Sequence, residues 1–303
     1  MISRRQLRIK VLQILFEWNF DKEKSLPLLK KKLRENVNDV HELFIFHLYV
    51  IHQVCQYVNQ YQLIQQSKLL TTEAEKNVNK KLLSNIYYLN LENSEYFQDK
   101  VKKYKLKEKL NPDLIKTIFY DLIERKGYRK YLKTEDPEKK IARDNLMMQE
   151  IYLELMLLND YFNDECEKWY PCWNDDYNLV SGYVIGFLKN MPSISNYIVT
   201  IDNNIDEEDI IFGEQLLSIC ITNFDTFKNT LSKVLSNWDV DRIGTVEKLL
   251  LYLIMGELQY LQTPDKITFN EYIEIAKIYA GEKSHEFING VIDKLIQAKE
   301  VEY

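Results

Sequence analysis

Between Arg4 and Asn19 the apolar residues Leu7, Val11, Ile14, Leu15 and Trp18 recur at intervals of three and four, which places them on one stripe of an α-helix. The same period predicts helices over 24–36, 39–66, 72–89, 112–133 and 138–162, and again over 208–222, 224–236, 245–262, 269–280 and 285–299. Asn111 followed by Pro112 and Asp113 reads as a helix start, because proline in the first turn gives up no hydrogen bond the helix needs. Two stretches interrupt the pattern: the aromatic, Pro171-bearing segment Asp164–Asp176, and the acidic run Asp202–Asp209, which reads as a domain boundary.

The final two helices carry terminal signals. Thr268 and Glu271 have the spacing of a capping box, with Ile267 and Tyr272 placed to staple it, and Gly281 is placed to supply a left-handed stop. Ser284 is positioned to cap the following helix, whose Phe287, Val291 and Leu295 share a stripe. Gly290 inside that helix costs about 1 kcal/mol relative to alanine, which a close approach of another backbone or a ligand would justify. The run Leu249–Met255 is apolar on every side and so needs cover on every side. At seven residues it is far shorter than the roughly 20 a membrane-spanning helix requires.

Composition narrows the picture. Only eight glycines occur, none before Gly127, and tight hairpins and phosphate-cradling loops both consume glycine, so the expected fold class is all-α. A chain of 303 residues can bury one large core or two modest ones without a metal or disulfide. Cys55, Cys166, Cys172 and Cys220 have no zinc-like spacing, and Met1 leads into a charged helix rather than an apolar signal core, so a cytoplasmic setting is expected. His52 and Cys55 lie one turn apart, but two ligands make no zinc site. No phosphate loop, nucleophile elbow or Cys-x-x-Cys is present; neither an enzyme nor a cofactor is expected.

A net charge of −6 repels a phosphate backbone on average, so any nucleic-acid contact must be local. The first helix offers one. Arg4, Arg5 and Arg8 project from one side of it beside the apolar stripe, with Lys10 on the other flank. Such a cluster is either a solvated basic helix end or a set of forked donors for successive phosphates.

Two segments carry a family resemblance. Arg4, Arg5, Gln6, Leu7, Arg8, Val11, Leu12, Gln13, Ile14, Leu15, Phe16 and Trp18 resemble the arginine-rich first helix of the NusB family. Asn237, Trp238, Asp239, Asp241, Arg242, Ile243, Glu247, Lys248, Glu257 and Leu258 follow the order of its C-terminal signature. So do Asn270, Glu271, Glu274, Ala276, Lys277, Gly281, Glu282, Lys283, Ser284, His285, Phe287, Asn289, Gly290, Val291, Asp293 and Lys294. The resemblance implies a NusB-like helical bundle formed by 1–20 plus 206–303, with 21–205 as a large helical insertion of unknown role. It also implies binding of boxA-type single-stranded RNA from ribosomal RNA leaders, jointly with the ribosomal protein NusE, within the RNA polymerase antitermination complex.

By position the resemblance puts Arg4, Arg5, Arg8, Lys248 and Phe287 toward RNA, and Phe16, Asp241 and Glu247 toward the protein partner. Phe287 fits a core position equally well, and His285 and Asn289 fit capping and packing as well as RNA. Tyr252 stands where an arginine is common in the family, and Ala280 and Gly281 reverse a small-residue order seen in some members. Two other readings stay open: a helical protein-interaction scaffold without RNA binding, and a relative of the NusB-like domain that precedes rRNA cytosine methyltransferases.

Overall fold

A computed structural model describes residues 2–68, 77–190, 207–235, 240–281 and 283–301. The expectations for 72–76 and for the boundary at 202–206 lie outside them, as do Asn237, Trp238, Asp239 and Glu282. Every regular element among the described residues is helical. The helices are α1 (Arg4–Phe20), α2 (Leu26–Ser67), α3 (Ile86–Glu92), α4 (Glu95–Lys103), α5 (Leu106–Lys109), α6 (Pro112–Glu124), α7 (Lys126–Lys133), α8 (Lys140–Gln149), α9 (Asp160–Trp169) and α10 (Trp173–Asn190). They continue with α11 (Glu207–Thr222), α12 (Phe224–Val234), α13 (Thr245–Gly256), α14 (Asp265–Tyr279) and α15 (Ser284–Val301). None of the helices among the described residues is long and apolar enough to cross a membrane.

The chain divides into two compact units, Met1–Val37 with Asn204–Tyr303, and Asn38–Asn203. The first takes in seventeen residues beyond the expected boundary at 20, because Leu29 and Leu33 of α2 are fully buried in its core.

In that unit the stripe of α1 does what its spacing requires: Val11, Leu12, Ile14, Leu15 and Trp18 enter one core with α11, α12, α13, α14 and α15. Residues Leu249–Gly256 of α13 are all buried, so the apolar run is the central rod that the other helices cover. Close approach of α1 and α11 depends on Gly213, where an added Cβ would lie 3.3 Å from Leu33 and 3.6 Å from Leu7. Tyr252 belongs to this packing. It is fully buried with its ring edge-on to Phe224 at 5.0 Å, so it occupies core rather than a phosphate-facing surface.

The second unit is built on the α2 segment from 38 onward, where Val40, Leu43–Phe46, Leu48, Val50, Val54 and Val58 are buried. His47 sits at the centre, its ring 4.9 Å from Phe162 and from Trp173, its Nδ1 2.9 Å from the Tyr152 hydroxyl. His52 and Cys55 take structural places: His52 pairs with Glu92 at 2.5 Å and Cys55 is fully buried. Among the described residues no group of three or more His, Cys, Asp or Glu converges as metal ligands.

Several expected boundaries shift. The segments 24–36 and 39–66 are one helix, while 112–133 breaks at Arg125, whose extended backbone separates α6 from α7. The interruption at 164–176 shrinks to the turn around Pro171 between α9 and α10. Helix α14 starts a turn earlier than expected, at Asp265 after Pro264, so Thr268 and Glu271 form no capping box. Thr268 is buried instead, and Glu271 reaches an arginine. Gly281 has no positive φ, so α14 ends without a left-handed stop, and an added Cβ at Gly290 would meet nothing within 4 Å.

Candidate nucleic-acid interface

The basic end of α1 is held by a capping box that its sequence encodes as Ser-Arg-Arg-Gln. The Ser3 hydroxyl accepts from the Gln6 amide, and the Gln6 side chain accepts from the Ser3 amide at 2.8 Å. Arg4 and Arg5 thus occupy the first helical turn, where the helix dipole is positive and cations are disfavoured, and no acidic residue accompanies them there. Carboxylates from other helices compensate. Arg4 Nε donates to Asp209 at 2.9 Å, and Arg5 donates to both oxygens of Glu271 at 2.7 and 2.9 Å. The hydrogen bond from Arg5 holds the Glu271 carboxyl below its usual range and raises Arg5 in turn. Both guanidinium groups stay open to solvent, with side-chain exposures of 54% and 41%. Arg4 spends only Nε on its carboxylate, leaving both terminal nitrogens to donate elsewhere.

Arg8 departs from the expected surface role. Its side chain is 2% exposed, and its forked donors engage the carboxylate of Glu257, itself fully buried, with Nε to Oε2 at 2.8 Å and Nη2 to Oε1. Glu257 also accepts from the Tyr272 hydroxyl at 2.9 Å. Burial opposes the charge on Arg8, but the hydrogen bond to Glu257 and the nearby negative groups outweigh it, and the guanidinium ends with a raised pKa. The ring of Phe212 lies 5.1 Å from the Arg4 guanidinium and 5.2 Å from that of Arg8. Lys10, expected on the other flank of the helix, is buried as well. Eight of the seventeen residues of α1 are buried, which leaves little surface, and the i+4 partner of Arg4 falls among them.

The remaining residues divide between two places. Lys248 is half-buried in the first turn of α13 and has no carboxylate within ion-pair distance among the described residues. Glu247 beside it accepts from the Ser284 hydroxyl at 2.6 Å, which ties the start of α13 to the start of α15, the helix carrying Phe287. Ser284 therefore serves an inter-helix bond. Phe287 is half-buried and packs against the core. Phe16 is 39% exposed and stands edge-on to Phe20, 70% exposed, at 5.0 Å. Twelve residues of helix separate Phe16 from Arg4, about 18 Å along the axis, so α1 carries a basic end and an aromatic end well apart. The backbone of Asp241 forms part of the 3₁₀ turn Val240–Arg242, while its side chain lies outside the described set.

Glu257 and Asp209 had no expected role in the site, and Glu271 pairs with Arg5 where a helix cap was expected. The signal for Glu257 was available: it is the first charged residue after the apolar run of α13, one glycine beyond it, a position that asks for a buried counter-ion.

The NusB family model matches residues 188–297. The transcription antitermination protein NusB of Clostridium botulinum is 36% identical over 120 residues, 39% of this chain and 90% of that protein. The NusB proteins of Listeria innocua and Histophilus somni are 40% and 35% identical, covering 30% and 36% of this chain and 73% and 78% of theirs. No solved structure matches. Because nearly the whole of a NusB protein aligns at this level of identity, the chain belongs to the NusB family.

Proposed function

We propose that the protein is a non-enzymatic transcription antitermination factor that works in the cytoplasm. In this reading it binds boxA-type single-stranded leader RNA of ribosomal RNA operons together with NusE, as part of the RNA polymerase antitermination complex. The observation that carries the reading is the pair Arg4 and Arg5 in the first turn of α1. The positive end of the helix dipole and two guanidinium groups that stay open to solvent while pairing with Asp209 and Glu271 favour an anion there, on a chain of net charge −6. Lys248 extends this set, Phe287 offers a half-buried ring edge, and Arg8 acts behind the surface by fixing α1 to the core. Phe16, with Asp241 and Glu247, forms the NusE-facing set, and a partner that shares the RNA contact explains how an acidic protein manages with so few cations.

The test is fluorescence anisotropy of labelled boxA leader RNA with NusE present, across a salt series, for wild type and Arg4→Gln/Arg5→Gln. Each lost phosphate contact lowers the log–log slope by about 0.7, so the double variant flattens it by up to about 1.4 and binds more weakly, with its helix content intact. Unchanged affinity and slope would favour the scaffold reading.

A further inference from the structure

We propose that the second unit carries an RNA-binding edge of its own, formed by the lysine-rich segment at the end of α4 and through α5, which takes the phosphate backbone of a single strand. This inference does not rest on the boxA assignment.

Residues 100–109 hold six lysines and one carboxylate, Glu108, in a chain whose net charge is negative. Lys102, Lys103, Lys105 and Lys107 are exposed, and none of them has a carboxylate within ion-pair distance among the described residues, although Glu95, Asp99 and Glu108 lie close in sequence. Opposite charges three or four residues apart on a helix stabilise it by about 0.2–0.5 kcal/mol per pair, and these four lysines make none of those pairs among the described residues. Here the cations are kept together instead.

The segment is also rigidly seated, unlike a basic tail. Phe97 and Leu106 anchor it with no exposed surface, the Tyr104 hydroxyl lies 2.9 Å from His41 Nδ1, and Lys109 pairs with Glu42. Between α4 and α5, Lys105 adopts a left-handed backbone (φ 51°, ψ 39°), a conformation few non-glycine residues enter and one that glycine would fill without strain. The turn therefore presents an ammonium group where conformational ease alone would select none.

Half-buried aromatic rings border these charges. Lys100 Nζ stands 5.1 Å from the Tyr96 ring and 5.8 Å from that of Tyr104, which Lys103 Nζ also approaches at 5.6 Å. Ammonium groups interleaved with ring faces are the chemistry of single-strand recognition, in which the charges follow phosphates and the rings accept bases. An anionic membrane is a poorer fit, because interfacial binding needs an exposed apolar face and the leucine at the centre of the segment is fully buried.

The experiment uses the full chain and a labelled 30-nucleotide poly(U) probe across a salt series. It compares wild type, Lys102→Gln/Lys103→Gln/Lys105→Gln/Lys107→Gln, and an equal-charge control, Lys116→Gln/Lys126→Gln/Lys139→Gln/Lys140→Gln, whose four sites are also exposed in this unit. The first variant is expected to lose up to about 2.8 from the log–log slope, at about 0.7 per contact, while the control stays close to wild type. The same loss should appear in an Arg4→Gln/Arg5→Gln background, which separates this edge from the α1 site. Equal losses in both quadruple variants, no loss in the first, or loss of binding only to phosphatidylglycerol vesicles would overturn the proposal.

Discussion

The Arg8–Glu257 pair gives the most exacting test of how the first unit is held together. Replacing Arg8 by methionine keeps most of the aliphatic volume but strips a fully buried carboxylate of the guanidinium fork, leaving it, among the described residues, the Tyr272 hydroxyl at 2.9 Å and a marginal 3.5 Å contact from Thr268. Breaking one side of such a pair costs about 3–5 kcal/mol, since the orphaned charge must be neutralised or hydrated in the core. With a urea m-value of about 3 kcal/mol/M, the unfolding midpoint of this unit should fall by about 1–1.7 M. Native-state hydrogen exchange should show the loss first in α1, whose opening removes the pair. The double variant Arg8→Met/Glu257→Met should recover at least half, because no buried charge remains and a hydrophobic pair of similar volume is often neutral or better. If Arg8→Met alone cost less than about 0.5 kcal/mol, the value typical of a solvated surface side chain, the ion pair would have no structural weight and the arginine would return to the candidate RNA surface.

The other predictions concern pH and packing. His47 has its pKa pushed down to about 3 by burial, against 6.5 unfolded, so the stability it permits is complete above pH 6.5 and is lost as pH falls from there toward 3. Chemical denaturation between those values should show a contribution from His47 of up to about 1.4 kcal/mol per pH unit that His47→Leu removes from the slope, and an unchanged slope in the variant would contradict the assignment. Glu271, whose pKa lies below 4.5 when folded, stabilises above that value and loses its contribution as pH falls through its folded pKa. The stability difference between wild type and Glu271→Gln at pH 7 should therefore vanish in strong acid. Gly213→Val should lower the melting temperature by an overpacking cost of about 1–3 kcal/mol, whereas Gly213→Ala should be near neutral, its tight contact with Leu33 offset by better helix propensity. Equal melting temperatures for both variants would mean that α1 and α11 can separate freely.

Much of this architecture is legible in the chain because helical period is a local signal. The stripe from Leu7 to Trp18 and the wholly apolar Leu249–Met255 each declare which faces must be covered, and the observed core unites them. What periodicity cannot supply is the partner of a charge. Arg4, Arg5 and Arg8 look alike in sequence, yet only the third meets a carboxylate brought 249 residues along the chain into the core, and that contact decides which arginine is buried. Tyr252 shows a related limit: its place inside the apolar run declares that it is covered, but local pattern does not reveal that Phe224 and Phe227 supply the cover. Terminal signals fared unevenly. The capping box of α1 has the right residue types at Ser3 and Gln6 but was not among the expected caps, while Thr268 and Glu271, which were, have that spacing inside a helix that starts a turn earlier, where side-chain caps have no free amides to meet. The α4–α5 lysines carry a clear compositional signal, but their rigidity, ring contacts and the left-handed Lys105 exist only in the folded unit.

Joint recognition of a leader RNA by this protein and NusE stands behind the proposed function. It is tested most directly by titrating labelled boxA RNA, and a scrambled RNA of equal length and composition, with the protein alone, NusE alone and both together at one fixed salt concentration. The two proteins together should bind boxA tighter than either alone, and tighter than they bind the scrambled RNA, by on the order of tenfold or more, because a second contact joined to the first acts at high effective concentration. Affinities for boxA and scrambled RNA that are equal, and indifferent to NusE, would contradict it.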